Sequence, residues 1–302
     1  MFVLMGANGN ITSKTAHILL KQGHKVRVIG RKAESLAALK AAGAELAIGD
    51  AGNADFLAQS FKGATAIYTM IPPNHTSNAF RAWQNQIGAA IAEAVQRSGA
   101  KRVVSLSSIG AHLPDGTGPI AGLHDLEQKL NAIAGLDLLH LRPGYFMENH
   151  FNALGTILPF GVYADMIDGS VPIGTIATQD IAAVLARELA NIRGTGPRFL
   201  HLRSPKLTTQ DEAAAILGAA IGKPDLKHVR ADPAQAKAGM TAHGLSQNMA
   251  DLFEEMSVAI SGSEFNRAFA DGPTEITPTT LEAWAPSFAA AYAHAASAAK
   301  AA

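Results

Sequence analysis

The first thirty-one residues constrain this chain more than any other stretch. Residues 1–5 form a short apolar run that stops at Gly6-Ala7-Asn8-Gly9-Asn10-Ile11-Thr12. An apolar helix-like segment follows through Ala16, Ile18, Leu19 and Leu20, then a turn at Gly23-His24. A second apolar run, residues 26–29, ends in Gly30-Arg31-Lys32. The order is strand, Gly-rich turn, helix, strand, with cations at the tip of the second strand. A phosphate-bearing dinucleotide suits such a turn. Glycines let the backbone approach a pyrophosphate, and a helix N-terminus offers free N–H groups and partial positive charge. Gly6, Asn8, Gly9, Asn10, Ile11 and Thr12 are therefore the expected pyrophosphate cradle.

The turn departs from the usual pattern at one place. Thr12 stands where a third glycine normally permits close helix–strand packing. A threonine there shifts the helix, hydrogen-bonds a phosphate, or simply caps the helix. At the end of the second strand, an NAD-selective site places a carboxylate on the ribose 2′-OH. This chain has Gly30, then Arg31 and Lys32. No carboxylate opposes a 2′-phosphate and a guanidinium is at hand to pair with it. The expectation is NADP(H) over NAD(H), against the alternative of a solvated Arg-Lys pair. Asp50, ending the third strand, is placed to reach the adenine or to cap the next helix.

The first half continues in alternation. Strands are expected at 2–6, 25–29, 44–48, 66–70, 102–106 and 137–141, the last four reading as buried on both faces. Helices are expected at 12–21, 33–42, 54–61, 78–97 and 122–134. Gly23, Gly43, Gly63, Gly99 and Gly135 each follow a helical segment, in C-cap positions. The fold class is α/β, a Rossmann-like doubly wound parallel sheet. Ligands bind such sheets beyond the C-terminal strand ends. Those ends assign Met70, Ile71, Pro72 and Ser107 to the cofactor and Ser108 to the substrate side. After about residue 145 the pattern changes to a loop-rich stretch. A helix at 178–190, with Thr178 as a possible cap, and a strand near 198–202 come next, then mostly helices. The expected division is a dinucleotide-binding domain over 1–150, to which 176–203 returns, and a smaller, mainly helical substrate domain over 151–302.

Composition narrows the partners. Lys+Arg and Asp+Glu are 25 each, so no cationic excess recommends nucleic acid or an anionic membrane surface. There is no cysteine, which removes thiolate catalysis and Cys-based metal sites and fits a cytoplasmic setting. A first strand starting at residue 2 leaves no room for a leader, and no apolar run approaches a membrane span.

The next feature is an absence. Ordinary short-chain dehydrogenases use a Tyr with a Lys four residues later, the Lys lowering the Tyr pKa. Here Tyr68, Tyr145, Tyr163 and Tyr292 are followed at that distance by Pro72, Asn149, Ile167 and Ala296. His124 stands at the equivalent point. It shares a helix face with Glu127 and Gln128, and an imidazole there could donate a proton to a substrate oxygen. The alternatives are a surface histidine paired with Glu127 or a metal pair; no third ligand is suggested, so no metal is expected.

Taken together, Gly6-Ala7-Asn8-Gly9, the Ile29-Gly30-Arg31 strand end, SLSSIGA (105–111), the helix of His124 and Glu127, and LRPGYFMEN (141–149) resemble the NmrA-like branch of atypical short-chain dehydrogenases. Vaguer similarity continues through VPIGTIATQDIAA (171–183). The resemblance implies a Rossmann fold with a small C-terminal domain and NAD(P) in the cleft. Its members divide between NAD(P)H-dependent reductases of quinones, dyes or phenylpropanoids and proteins that bind the dinucleotide without turnover and regulate others. Phenylpropanoid reductases carry a Lys in the site; His124 places this chain nearer the quinone reductases. By this resemblance Pro143, Gly144 and Tyr145 border the nicotinamide. Phe146, Met147 and Asn149 line the substrate cleft, with Pro72, Pro73 and His75 opposite. The implied function is NADPH-dependent reduction of a small aromatic or quinone-like substrate, with a non-catalytic NADP(H) sensor as the alternative.

Overall fold

A computed structural model of the chain describes residues 1–191 and 194–301. Its strands are β1 (Phe2–Leu4), β2 (Val26–Gly30), β3 (Glu45–Ile48), β4 (Ala66–Thr69), β5 (Arg102–Leu106), β6 (Asp137–Pro143), β7 (Tyr145–Phe146), β8 (Tyr163–Asp165), β9 (Ile173–Ile176), β10 (Gly196–Arg203), β11 (Leu207–Thr208), β12 (His228–Arg230) and β13 (Thr274–Ile276). The helices of the first half are α1 (Asn10–Lys21), α2 (Ala37–Ala41), α3 (Ala54–Phe61), α4 (Phe80–Ser98) and α5 (Ala121–Asn131). Those of the second are α6 (Leu154–Phe160), α7 (Thr178–Ala190), α8 (Gln210–Ala220), α9 (Pro233–Ala242), α10 (Gln247–Ser261), α11 (Ser263–Ala270) and α12 (Leu281–Ala301).

Eight strands form one parallel sheet in the order β13-β10-β6-β5-β4-β1-β2-β3. The order reverses between β1 and β4, and ligands bind doubly wound sheets in the crevice at that reversal. One face is covered by α1 and α7, around Leu4, Leu19, Val28, Ile181 and Leu185; the other by α3, α4 and α5, around Val3, Leu57, Ile67, Ile91 and Leu130. Strands sandwiched this way are apolar on both faces, which is why β4, β5 and β6 read as near-continuous hydrophobic runs. β3 departs from that expectation: Glu45 and Ile48 are exposed, because β3 is the sheet's outer edge and pairs on one side alone.

The six expected strands are all present, and two more lie beyond β6. α7 packs on the sheet and β10 pairs with β6. β13 joins beyond β10, and its three residues, Thr-Glu-Ile at an edge, carry no alternation for a sequence to display. The five C-cap glycines all have positive φ, from 70° to 101°, the left-handed region where a Cβ is costly. Thr178 does not cap α7. Ala177 holds the cap position, and the Thr178 N–H and hydroxyl both donate to Glu148. Thr209, Asp232 and Ser246 each accept a backbone N–H at the starts of α8, α9 and α10. No helix among the described residues is long and apolar enough to cross a membrane.

Two buried histidines set an acid limit on stability. His140, inside β6 and 2% exposed, donates through Nε2 to Asn131 Oδ1 at 3.0 Å. His150, also buried, hydrogen-bonds the Tyr163 hydroxyl at 2.6 Å. Burial lowers their pKa values to about 4 and about 3 from 6.5. Above 6.5 both states are neutral and the two residues make no pH-dependent contribution. Below it the unfolded chain takes up two protons at these sites that the folded chain refuses, and a third at His201, which is also buried and lowered to about 4. Stability is therefore expected to fall by roughly 1.4 kcal/mol per pH unit for each histidine as pH drops toward 4. Urea unfolding at about pH 7.5, 6 and 5 reads this slope. His140→Gln should remove one proton from it, and a flat profile would contradict the assignment.

Candidate active site

The site is built from loops at the C-terminal ends of β1, β2, β4, β5 and β6. After β1 the chain turns at Gly6, whose φ is +72°; a Cβ there would also lie 2.7 Å from Met70 Sδ. Only glycine fits such a position without strain. Gly9 holds the N-cap of α1 with no side-chain cap, and the first turn contains no acidic residue. The Gly9 carbonyl accepts Ser13 N–H, so the N–H groups of Asn10, Ile11 and Thr12 precede the helical ladder and are open to an anion. Asn8 Nδ2 donates to Ser35 Oγ at 2.8 Å, and Ser35 donates to the Lys32 carbonyl. This chain of bonds ties the Gly turn to the turn after β2. Arg31 and Lys32 are exposed there, with no side-chain hydrogen bond or ion pair to the described residues.

Thr12 takes a course the sequence left open. It is 1% exposed, and its hydroxyl donates to the Met5 carbonyl at 3.0 Å. The threonine thus fills the helix–strand seam that a glycine usually occupies and stitches it with a hydrogen bond. It neither caps α1 nor points its hydroxyl at the cradle. Asp50 accepts Gly52 N–H at 2.9 Å in a local turn, while Asn53 caps α3.

The ends of β5 and β6 are held together by a buried charge cluster. Arg142 donates to both oxygens of Glu127, at 2.9 and 2.5 Å, and Ser107 Oγ donates to Glu127 Oε1 at 2.5 Å. The guanidinium stacks 4.5 Å from the Phe199 ring centre. Burial opposes the Glu127 charge, yet the Arg142 hydrogen bonds, helped by Ser107, hold its carboxyl below the usual range. The Ser107 hydroxyl is committed to Glu127 and its backbone N–H to the Leu141 carbonyl. Glu127 is buried and turned away from His124, whose Nδ1 instead donates to the Ala111 carbonyl at 2.9 Å.

Beside these ends lies a cavity of about 240 Å³. Ser108 and Ile109 enter it after β5, Gly144, Tyr145 and Phe146 after β6, and Asn149 from the turn that follows. Five of the expected residues thus meet at one cavity: Ser108, Gly144, Tyr145, Phe146 and Asn149. Burial raises the Tyr145 phenol well above its usual value, so it stays a neutral donor. His124 is not among the lining residues. Met147 is also absent: it is fully buried in the separate cluster with Tyr163, Leu217, Trp284 and Phe288, because the 147–153 turn points it inward. Pro73 and His75 are exposed. The His75 ring lies 6.3 Å from that of Phe253, which does line the cavity. The sequence reading missed the far wall, Phe253, Met256 and Ile260 of α10 with Phe265 and Phe269 of α11. Their spacings of three, four and four residues mark one apolar stripe on each helix; what the sequence did not say is which cavity the stripes face. Among the described residues no group of three or more His, Asp or Glu could hold a metal ion.

Residues 6–192 match the family described as NAD(P)H-binding. The chain belongs to this family. An NAD(P)H azoreductase from Xenophilus azovorans is 27% identical over 258 residues, covering 85% of this chain and 86% of that protein. The crystal structure of an NADPH-dependent quinone oxidoreductase from Escherichia coli, complexed with NADPH, aligns with a TM-score of 0.74 at 21% identity. That alignment covers 98% of this chain and 99% of the other. A mutant NmrA aligns with a TM-score of 0.67 at 14% identity over 94% of each chain. The expected Rossmann-like fold and dinucleotide-binding family are borne out, and the fold is shared with NmrA.

Proposed function

We propose that this NAD(P)H-binding family member is an NADPH-dependent reductase of a quinone or similar conjugated carbonyl. One observation carries the reading: an apolar, aromatic-walled cavity opens against the Gly144–Tyr145 turn of a sheet whose Gly6–Thr12 turn is shaped for a pyrophosphate. The two turns sit three strands apart, roughly 14 Å, within the span of an extended dinucleotide. A ligand cradle is supported by the strained Gly6, by the uncapped start of α1 and by the unpaired Arg31. Gly6, Gly9 and the N–H groups of Asn10 to Thr12 would hold the pyrophosphate, and Arg31, with Lys32 beside it, a 2′-phosphate. Met70, Ile71 and Pro72 after β4, with Pro143, Gly144 and Tyr145 after β6, would flank the ring end.

When bound, the dinucleotide supplies a hydride, and one proton from solvent completes reduction of the quinone to the hydroquinone. The chain's own share is orientation and exclusion of water. The cavity walls hold the acceptor flat, while Asn149 and Ser108 offer donors to its carbonyl oxygens. A quinone gains aromaticity on reduction, so it needs no strong acid, which fits a site lacking the Tyr and Lys pair. His124, with Nδ1 committed to the Ala111 carbonyl, supports the turn after β5. The test is NADPH consumption with a quinone panel under anaerobic conditions. Enzyme-dependent turnover is expected with at least one naphthoquinone, and rates equal to the enzyme-free control with all acceptors would overturn the reading. The azoreductase and quinone oxidoreductase relatives support a reductase over a non-catalytic sensor, as does a cavity built for a small aromatic acceptor.

A further inference from the structure

The charge content of the cavity goes further than its shape. Every side chain lining it is uncharged. Arg142, the cation at the β6 end, is already bound by both oxygens of Glu127. A charged group entering this space would shed water and meet no counter-ion among the lining side chains, which opposes its binding.

The wall geometry also favours a flat guest. Phe265 and Phe269 approach backbone that only glycine leaves bare. A Cβ on Gly110 would lie 2.5 Å from the Phe265 ring, and one on Gly174 would lie 2.5 Å from the Phe269 ring. Gly110 also has φ +86°. Two aromatic rings thus close against bare backbone at the cavity wall, and aromatic walls suit a planar guest. Two polar side chains in this apolar lining, Ser108 and Asn149, make no side-chain hydrogen bond to the described residues. They are left to meet a neutral acceptor's oxygens.

We infer that the cavity selects an uncharged, planar aromatic carbonyl compound of about two rings and rejects its sulfonated or cationic analogues. The inference deepens the reductase reading and rests on it for the meaning of the guest, but the selectivity itself is a binding property. A cavity of about 240 Å³, at the small end of ligand pockets, argues for the two-ring size.

The experiment is calorimetric titration of the full chain with 1,4-naphthoquinone, its 2-sulfonate and a quaternary-ammonium analogue, each with and without saturating NADP⁺. NADP⁺ cannot reduce the probe, and the absence of cysteine removes thiol addition. The neutral probe is expected to bind at least about tenfold more tightly than either charged one. Met256→Lys, a half-buried lining position whose stem length is kept, should erase or invert the preference against the sulfonate. Equal or tighter binding of a charged probe by the natural chain would overturn the inference, as would NADP⁺ binding with no neutral probe bound. That second outcome leaves the reductase reading standing for other acceptors. Neutral-selective probe binding without any binding of NADP⁺ or NADPH would do the reverse, sinking the reductase reading and keeping the selectivity.

Discussion

Replacing Glu127 with alanine is expected to cost about 3–5 kcal/mol of folding stability, the usual consequence of stranding a buried charge. Glu127 is 2% exposed and is the sole carboxylate partner of Arg142 among the described residues. Its removal leaves the guanidinium with the Phe199 ring face and no anion, and leaves Ser107 without an acceptor. Urea unfolding measures the loss directly. The paired change Glu127→Leu with Arg142→Met should recover much of it, since removing both charges leaves neither one buried alone. A loss under about 1 kcal/mol for Glu127→Ala would mean that water reaches the pair and that the β5 and β6 ends are held by backbone alone. The same carboxyl titrates below its ordinary range, so its contribution is present above about pH 4.5 and disappears as pH falls through the lower folded value.

Arg31→Ala should weaken NADPH binding roughly 10–100-fold while changing NADH binding by less than about threefold. Charge-assisted hydrogen bonds to phosphate are worth about 1.5–3 kcal/mol, and the two coenzymes differ by the 2′-phosphate alone. The structure supports this assignment because Arg31 has no competing partner among the described residues, and because the Asn8–Ser35–Lys32 bonds hold the β2 turn beside the Gly turn. Parallel losses for both coenzymes would mean that Arg31 acts on the shared part of the molecule, or on the turn's shape. Lys32→Ala serves as the internal comparison, being a nearby cation without Arg31's planar fork.

The parts of this molecule that a reader of the sequence can reconstruct are those where one residue type has one physical use. The Gly6 turn, the apolar strands β4 to β6 and the positive-φ C-caps fall in that class. So does α3, whose expected and observed bounds coincide at residues 54–61. What escapes is decided by tertiary neighbours. Thr12 offered three local roles and took a fourth, because its hydroxyl found the Met5 carbonyl across the helix–strand seam. Glu127 and His124 share a face by spacing, yet Arg142 of β6 and Ser107 just past β5 pulled the carboxylate inward, and the Ala111 carbonyl took the imidazole. Met147 sits beside true cavity residues in LRPGYFMEN, but a turn of the backbone sends it into another core. The aromatic wall was visible as stripes on two helices and invisible as a wall, since nothing local says which element a stripe will meet.

Single-turnover oxidation of NADPH by the full chain with excess 1,4-naphthoquinone, followed at the nicotinamide absorbance, tests hydride transfer most directly. With deuterium placed in turn at each of the two C4 positions of the nicotinamide, the account expects enzyme-dependent oxidation that slows for one position and not the other, as a ring held on one face requires. Oxidation no faster than without enzyme, or equal rates with deuterium at either position and with none, would contradict it.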